Sequence, residues 1–171
     1  MEIRALRESD DRSGFRSGDA DLDRFLHKYA GQNQFRHHIG TTYVAVEEDR
    51  IVGYATVAPG HIEVENFPPA QRKKLPRYPL PILRLARLAV DETMRGRGLG
   101  KSLLRFVLNL SLRMAADFGC TGVVVDAKPA AIPFYEQFGF EPLEVVEGQS
   151  QVRPAATAMF LPWREIAAAI E

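Results

Sequence analysis

The sequence predicts a mixed α/β fold, and three observations carry that expectation. Two β-rich segments flank the polar turn Glu47-Glu48-Asp49-Arg50. Beyond Ile82, strand and helix patterns alternate. The wholly apolar run Val123-Val124-Val125 suits a buried parallel strand.

Taken in order, Ile3 to Leu6 is a first short strand. Asp19 to Arg36 is an amphipathic helix, because Leu22, Phe25, Leu26 and Tyr29 recur at i, i+3, i+4 and i+7. Thr42–Val46 and Ile51–Val57 form a hairpin about the polar turn. From Phe67 to Pro81, prolines at 68, 69, 76, 79 and 81 interrupt regular structure. Ile82–Val90 is a long strand. A glycine-rich turn, Arg95 to Gly100, then opens a helix to Phe118. Its apolar face reads Leu99, Leu103, Phe106, Leu110, Met114 and Phe118, and Gly119 stops it. After the valine strand come a short helix (Ala130–Phe138), a last strand (Ala158–Leu161) and a terminal helix (Trp163–Ile170). Gly148–Pro154 reads as a loop. The order β-α-β-β-β-α-β-α-β-α implies a mixed sheet with helices on both faces.

The 171 residues suit a single domain over 1–171, with 46% apolar and 26% charged residues, as is ordinary for a globular protein. One cysteine, Cys120, excludes an internal disulfide framework and a multi-cysteine metal site. It sits between a helix stop and an apolar strand and reads as a buried, inert thiol. His27, His37, His38 and His61 show no metal-ligand or dyad spacing, so no metal is expected. The polar start and the lack of a transmembrane-length apolar run make the cytoplasm the expected location, with no membrane partner. Zero net charge hides an asymmetry. Between Gln71 and Arg113 lie eleven Lys/Arg and two acids, a net of +9, and the remainder carries −9. A basic middle points to an anionic ligand or partner.

The strongest chemical signal is Arg95-Gly96-Arg97-Gly98-Leu99-Gly100-Lys101-Ser102, between a strand and a helix. Glycines there let successive N–H groups face one concavity, and the helix N-terminus adds partial positive charge, so the turn suits a pyrophosphate. A Walker A loop is excluded because Arg95 stands at its first glycine, and a Rossmann fingerprint because Lys101 stands at its third. The pattern [QR]-x-x-G-x-[GA] is met by Arg95, Gly98 and Gly100.

This turn resembles that of the GCN5-related N-acetyltransferase (GNAT) superfamily. Arg87-Leu88-Ala89-Val90 is similar to the end of that family's fourth strand, and Phe134-Tyr135-Glu136-Gln137-Phe138-Gly139-Phe140 to its F-Y-x-x-x-G-F segment. The resemblance implies a central mixed sheet of about six to seven strands, with a splayed fourth strand that pairs with the pantetheine arm. It implies acetyl transfer from acetyl-CoA to an amine. The implied coenzyme A site is Leu88, Ala89, Val90, Arg95, Arg97, Gly98, Leu99, Gly100, Lys101, Ser102 and Phe134. The chemistry needs a backbone N–H for the developing oxyanion, from Leu88 or Ala89, and a proton donor for the leaving thiolate. By resemblance Tyr135 is that donor. A phenol of pKa near 10 keeps its proton at neutral pH and delivers it to a thiolate of pKa near 8.5. An α-amine of pKa near 8 is partly neutral at pH 7 without a dedicated base, and nothing in the spacing singles out Glu47, Glu63 or Glu65 for that role.

A narrower resemblance follows. Phe15-x-Ser17-Gly18-x-x-x-Leu22-Asp23-x-x-Leu26, Gln34-x-Arg36, Thr41-Thr42-Tyr43-Val44-Ala45, Gly53-Tyr54, Tyr78-Pro79-x-Pro81, Leu85-x-Arg87-Leu88-Ala89-Val90-Asp91, Val125-Asp126-Ala127 and Phe160-Leu161-Pro162 are similar to acetyltransferase toxins of bacterial toxin–antitoxin pairs. Those toxins acetylate the α-amine of aminoacyl-tRNA and pair with a ribbon-helix-helix antitoxin. The resemblance thus implies aminoacyl-tRNA as substrate and such an antitoxin as partner, and it leaves a homodimer open. Arg36, Arg72, Lys73, Lys74 and Arg77 are then candidate tRNA-backbone contacts. Val146–Pro154 has no counterpart in the resemblance and lies near where substrate would enter. Pro133 is expected in the first turn of the Tyr135 helix. Two other readings remain: acetylation of a small amine or a protein N-terminus, and a non-catalytic CoA-binding module.

Overall fold

A computed structural model describes residues 1–67, 69–143 and 156–170. The stretches read from sequence as Gly148–Pro154 and Val146–Pro154 lie outside the described residues. Among the described residues, seven strands form one sheet in the order β1-β2-β3-β4-β5-β7-β6, in keeping with the expected strand number. The chain divides into two compact units, Met1–Ala58 with Leu85–Val107, and Pro59–Arg84 with Leu108–Glu171.

In the first unit, β1 (Glu2–Ala5) pairs antiparallel with β2 (Thr41–Glu47), and β2 with β3 (Arg50–Ile62). Glu48 and Asp49 turn the hairpin at φ +50° and +61°, the left-handed pair that a two-residue type I′ turn requires. A bulge at Ala45/Val46 shifts the register. The helix expected over Asp19–Arg36 exists in pieces. Asp19 caps α1 (Ala20–Arg24) by accepting from the Asp21 and Leu22 N–H groups. Two π-helical stretches, Phe25–Tyr29 and Gln32–His37, follow it. The apolar stripe buries Phe25 and Leu26 and half-buries Leu22, but leaves Tyr29 exposed. Tyr54 of β3 anchors this layer. It is fully buried, packs against Phe15 and Phe25, and donates its hydroxyl to the Leu22 carbonyl at 2.6 Å.

In the second unit, β5 (Gly122–Ala127) pairs antiparallel with β7 (Thr157–Pro162), and β7 with β6 (Glu141–Pro142). The proline-rich stretch holds a 3-10 turn, Val64–Asn66, and one helical turn, α2 (Pro69–Arg72), which proline tolerates at its first position. Ile62, Val64, Phe67, Leu80, Ile82, Val124, Leu143, Ala158 and Phe160 form the core of this unit.

β4 (Leu80–Val90) and α3 (Leu99–Asp117) each contribute to both units. Of the expected face of α3, Leu99, Leu103 and Met114 are buried, Phe106 and Leu110 are half-buried, and Phe118 departs. Leu103, Leu104, Val107, Leu108 and Ser111 are wholly buried, whereas Phe118 is 76% exposed. The reason is the helix end. Phe118 and Gly119 both donate to the Met114 carbonyl, and Gly119 at φ +110° turns the chain before Phe118 can complete the stripe.

Candidate active site

The glycine turn is built from its N-terminal edge. β4 ends at Val90, and the Asp91 N–H donates to the Val52 carbonyl at 2.8 Å. The buried Asp91 carboxylate accepts from the Thr93 N–H (3.0 Å), the Thr93 hydroxyl (2.8 Å) and the Arg16 N–H (3.1 Å). Burial works to raise its pKa, yet these bonds hold it below the usual carboxylate range. Arg50 donates to the Thr93 hydroxyl at 2.8 Å. The start of the turn is therefore rigidly held.

Gly96 and Gly98 then adopt φ +76° and +79°, which glycine accepts without strain. No heavy atom lies within 4 Å of where a Cβ would stand on either one. α3 starts at Leu99, and its first internal bond runs from the Ser102 N–H to the Gly98 carbonyl. The amides ahead of Ser102 have no carbonyl one turn back, which is the donor array an anion needs. Arg97, Lys101 and Ser102 are exposed beside it. These features fit a pyrophosphate group. Arg95 is employed differently: its guanidinium donates to the Ser17 carbonyl and braces the turn against Ser17–Gly18. On β4, Ala89 is buried, and Leu88 and Val90 are half-buried.

Tyr135 belongs to the second unit. β5 ends at Ala127, a 3-10 turn covers Pro129–Ala131, and α4 (Ile132–Glu136) carries the tyrosine. Pro133 falls in the first turn of α4, so the helix is undisturbed and Tyr135 is buried. Phe134, half-buried, and Phe140 flank its ring edge-on at 5.1 and 5.5 Å. Burial first, and the Asp126 charge second, push the phenol well above the ordinary phenol range. Asp126 itself is held by Arg84, whose Nη1 donates to both carboxylate oxygens at 2.8 and 3.0 Å.

The basic residues separate by environment. Lys73, Lys74 and Arg77 are exposed just beyond α2, and Arg72 is half-buried at its end. Arg36 is exposed on the second π-helical stretch of the first unit. Cations of the basic middle with internal partners include Arg84 on Asp126, Arg95 on Ser17, and Arg87, whose guanidinium lies 3.8 Å above the Phe25 ring. Cys120 is buried, and burial raises its thiol pKa. Sequence reasoning gave Asp126 no role of its own. The signal was present, as an acid closing an otherwise apolar strand.

The acetyltransferase (GNAT) domain family matches residues 38–142, a span that includes the glycine turn and Tyr135. The chain belongs to the GNAT family. Like other GNAT enzymes it is an acetyl-CoA-dependent N-acetyltransferase. Among GNAT relatives, a tRNA-acetylating toxin of Mycobacterium tuberculosis is 34% identical over 139 residues, covering 81% of this chain and 82% of that one. A solved structure of AtaT complexed with acetyl-methionyl-tRNAfMet matches with a TM-score of 0.84 and 27% identity over 99% of both chains. A tyrosine-to-phenylalanine mutant of AtaT, bound to the C-terminus of the antitoxin AtaR and to acetyl-CoA, matches with a TM-score of 0.77 and 25% identity over 98% of this chain and 96% of that one. Among the described residues, no helix is long and apolar enough to cross a membrane.

Proposed function

We propose that this GNAT enzyme acetylates the α-amine of aminoacyl-tRNA and acts as the toxin of a toxin–antitoxin pair, through one domain spanning 1–171. The observation that carries the reading is likeness along nearly the whole chain to toxins that acetylate tRNA, rather than to the glycine turn alone. Bound acetyl-CoA supplies an activated thioester. Arg97, Gly98, Leu99, Gly100, Lys101 and Ser102 hold its pyrophosphate, with Arg95 bracing the turn, and Leu88, Ala89, Val90 and Phe134 line the pantetheine arm and acyl end. A backbone N–H of Leu88 or Ala89 donates to the carbonyl oxygen as negative charge grows there. Tyr135 donates its proton to the departing thiolate sulfur. Its elevated pKa keeps that proton in place throughout the neutral range.

Arg36, Arg72, Lys73, Lys74 and Arg77 contact tRNA phosphates in this reading. The partner is a ribbon-helix-helix antitoxin, the location is the cytoplasm, and a homodimer is the assembly to test by sedimentation. The deciding experiment incubates the enzyme with labelled acetyl-CoA and a charged total tRNA pool. Label on the aminoacyl end, with none on deacylated tRNA, is the expected outcome. Brisk acetylation of a polyamine or peptide with no label on any charged tRNA overturns the substrate and keeps the acetyltransferase.

A further inference from the structure

Asp126 is an uneconomical residue for its position. It follows three valines on β5 that are essentially wholly buried, and a carboxylate on such a strand is costly unless paired. Arg84 on β4 offsets that cost through both oxygens. The pairing is incomplete. An ionised carboxylate offers about four acceptor sites, and among the described residues Arg84 Nη1 is the donor that reaches it. The Asp126 side chain is 22% exposed and that of Arg84 35%, so the pair stays in contact with solvent. Strand alternation places Asp126 beside Val124 and Arg84 beside Ile82, both members of the second unit's core. Tyr135 lies on α4, which a single 3-10 turn joins to the end of β5, and its buried phenol feels the same charge. A fixed negative group near the proton donor of an amine acetyltransferase has a natural counterpart in the cationic acceptor.

We propose that Asp126, held by Arg84, docks the α-ammonium group of the acceptor and is the residue that distinguishes an amine from a hydroxyl there. The inference rests on the aminoacyl-tRNA reading for the identity of the acceptor and on the Arg84–Asp126 pair at the end of β5 for the charge it recognises.

The test uses a charged total tRNA pool and the same pool after nitrous acid has converted its α-amines to hydroxyls. Binding is measured on the full chain with coenzyme A in place of acetyl-CoA, so that no transfer occurs. Wild type is expected to favour the amine pool about tenfold or more, the scale of a hydrogen bond to a charged group. Asp126→Asn should bring the ratio to about one, and Asp126→Glu should restore part of it. If Asp126→Asn does not fold, Arg84→Gln/Asp126→Asn removes both charges and strands neither. An undiminished ratio in a folded Asn variant, or a ratio of one in wild type, overturns the docking role. A purely structural ion pair would change the melting temperature and leave the ratio alone. Discrimination lost in the variant, with no acetyl transfer to charged tRNA by wild type, supports the docking role and overturns the proposed substrate. Transfer by wild type with discrimination intact in the variant does the reverse.

Discussion

The ring of Tyr135 meets that of Phe140 edge-on, with centroids 5.5 Å apart and planes at 68°. The contact depends on the ring and not on the hydroxyl. Tyr135→Phe therefore preserves packing and removes only the hydroxyl, the proposed proton donor. Turnover should fall roughly 10²-fold or more, with acetyl-CoA affinity unchanged by calorimetry. Turnover close to wild type would assign the acid role to water or to another residue.

The raised Tyr135 pKa also predicts an alkaline stability effect. The unfolded chain releases this proton near pH 10, while the folded chain retains it to higher pH. Above about pH 10 the unfolded state therefore binds fewer protons, and stability falls as pH rises. The contribution is complete below about pH 10 and is lost as pH climbs through the folded pKa. Melting temperatures from about pH 9 to 11 should drop faster for wild type than for Tyr135→Phe. Parallel curves would mean the phenol ionises alike in both states.

Gly98 stands at φ +79° with open space where a side chain would project. Gly98→Glu would fill that space and bring a negative charge to the proposed pyrophosphate site. Acetyl-CoA binding should be abolished in calorimetry while the circular dichroism spectrum stays native. Unchanged affinity in the folded variant would remove the pyrophosphate from this turn.

Changing Arg72, Lys73 and Lys74 together to alanine should weaken tRNA binding and flatten its salt dependence, because the slope falls by about one for each phosphate that is no longer neutralised. Acetyl-CoA affinity should not change. Filter binding across a salt series checks the slope and calorimetry the cofactor. An unaltered slope would place the tRNA elsewhere.

Gly122 is a packing glycine. A Cβ there would press on the Leu161 carbonyl oxygen and stand 2.6 and 2.8 Å from two Phe160 ring atoms. Gly122→Ala should cost about 1–3 kcal/mol, a fall of several degrees in thermal denaturation for a chain of this size. A melting temperature equal to wild type would show that β7 moves aside freely.

Local chemistry made much of this protein legible from its sequence. The hairpin followed from two apolar runs about a polar turn, and the structure adds that Glu48 and Asp49 both take left-handed φ there. The strand-to-helix turn followed from glycine spacing, since Gly96 and Gly98 adopt conformations other residues avoid. The short helix around Tyr135 was legible as well, with Pro133 in its first turn as expected.

Other features were decided by tertiary structure alone. A broad apolar stripe on α3 admits more than one core-facing arc. Packing selected Leu104, Val107 and Leu108 and left Phe118 in solvent. The strand Glu141–Pro142 is too short to show a period and exists because it pairs with Phe160 and Met159. The π-helical stretches alter hydrogen bonding by one residue, a change that side-chain periodicity does not record. Arg84 and Asp126 are 42 residues apart in the chain, and a charge pair at that separation is formed by strand placement. Sequence determines which conformations each short segment accepts, because backbone sterics and side-chain alternation act over a few residues. Which groups meet, and hence whose charge the Tyr135 phenol feels, depends on long-range packing.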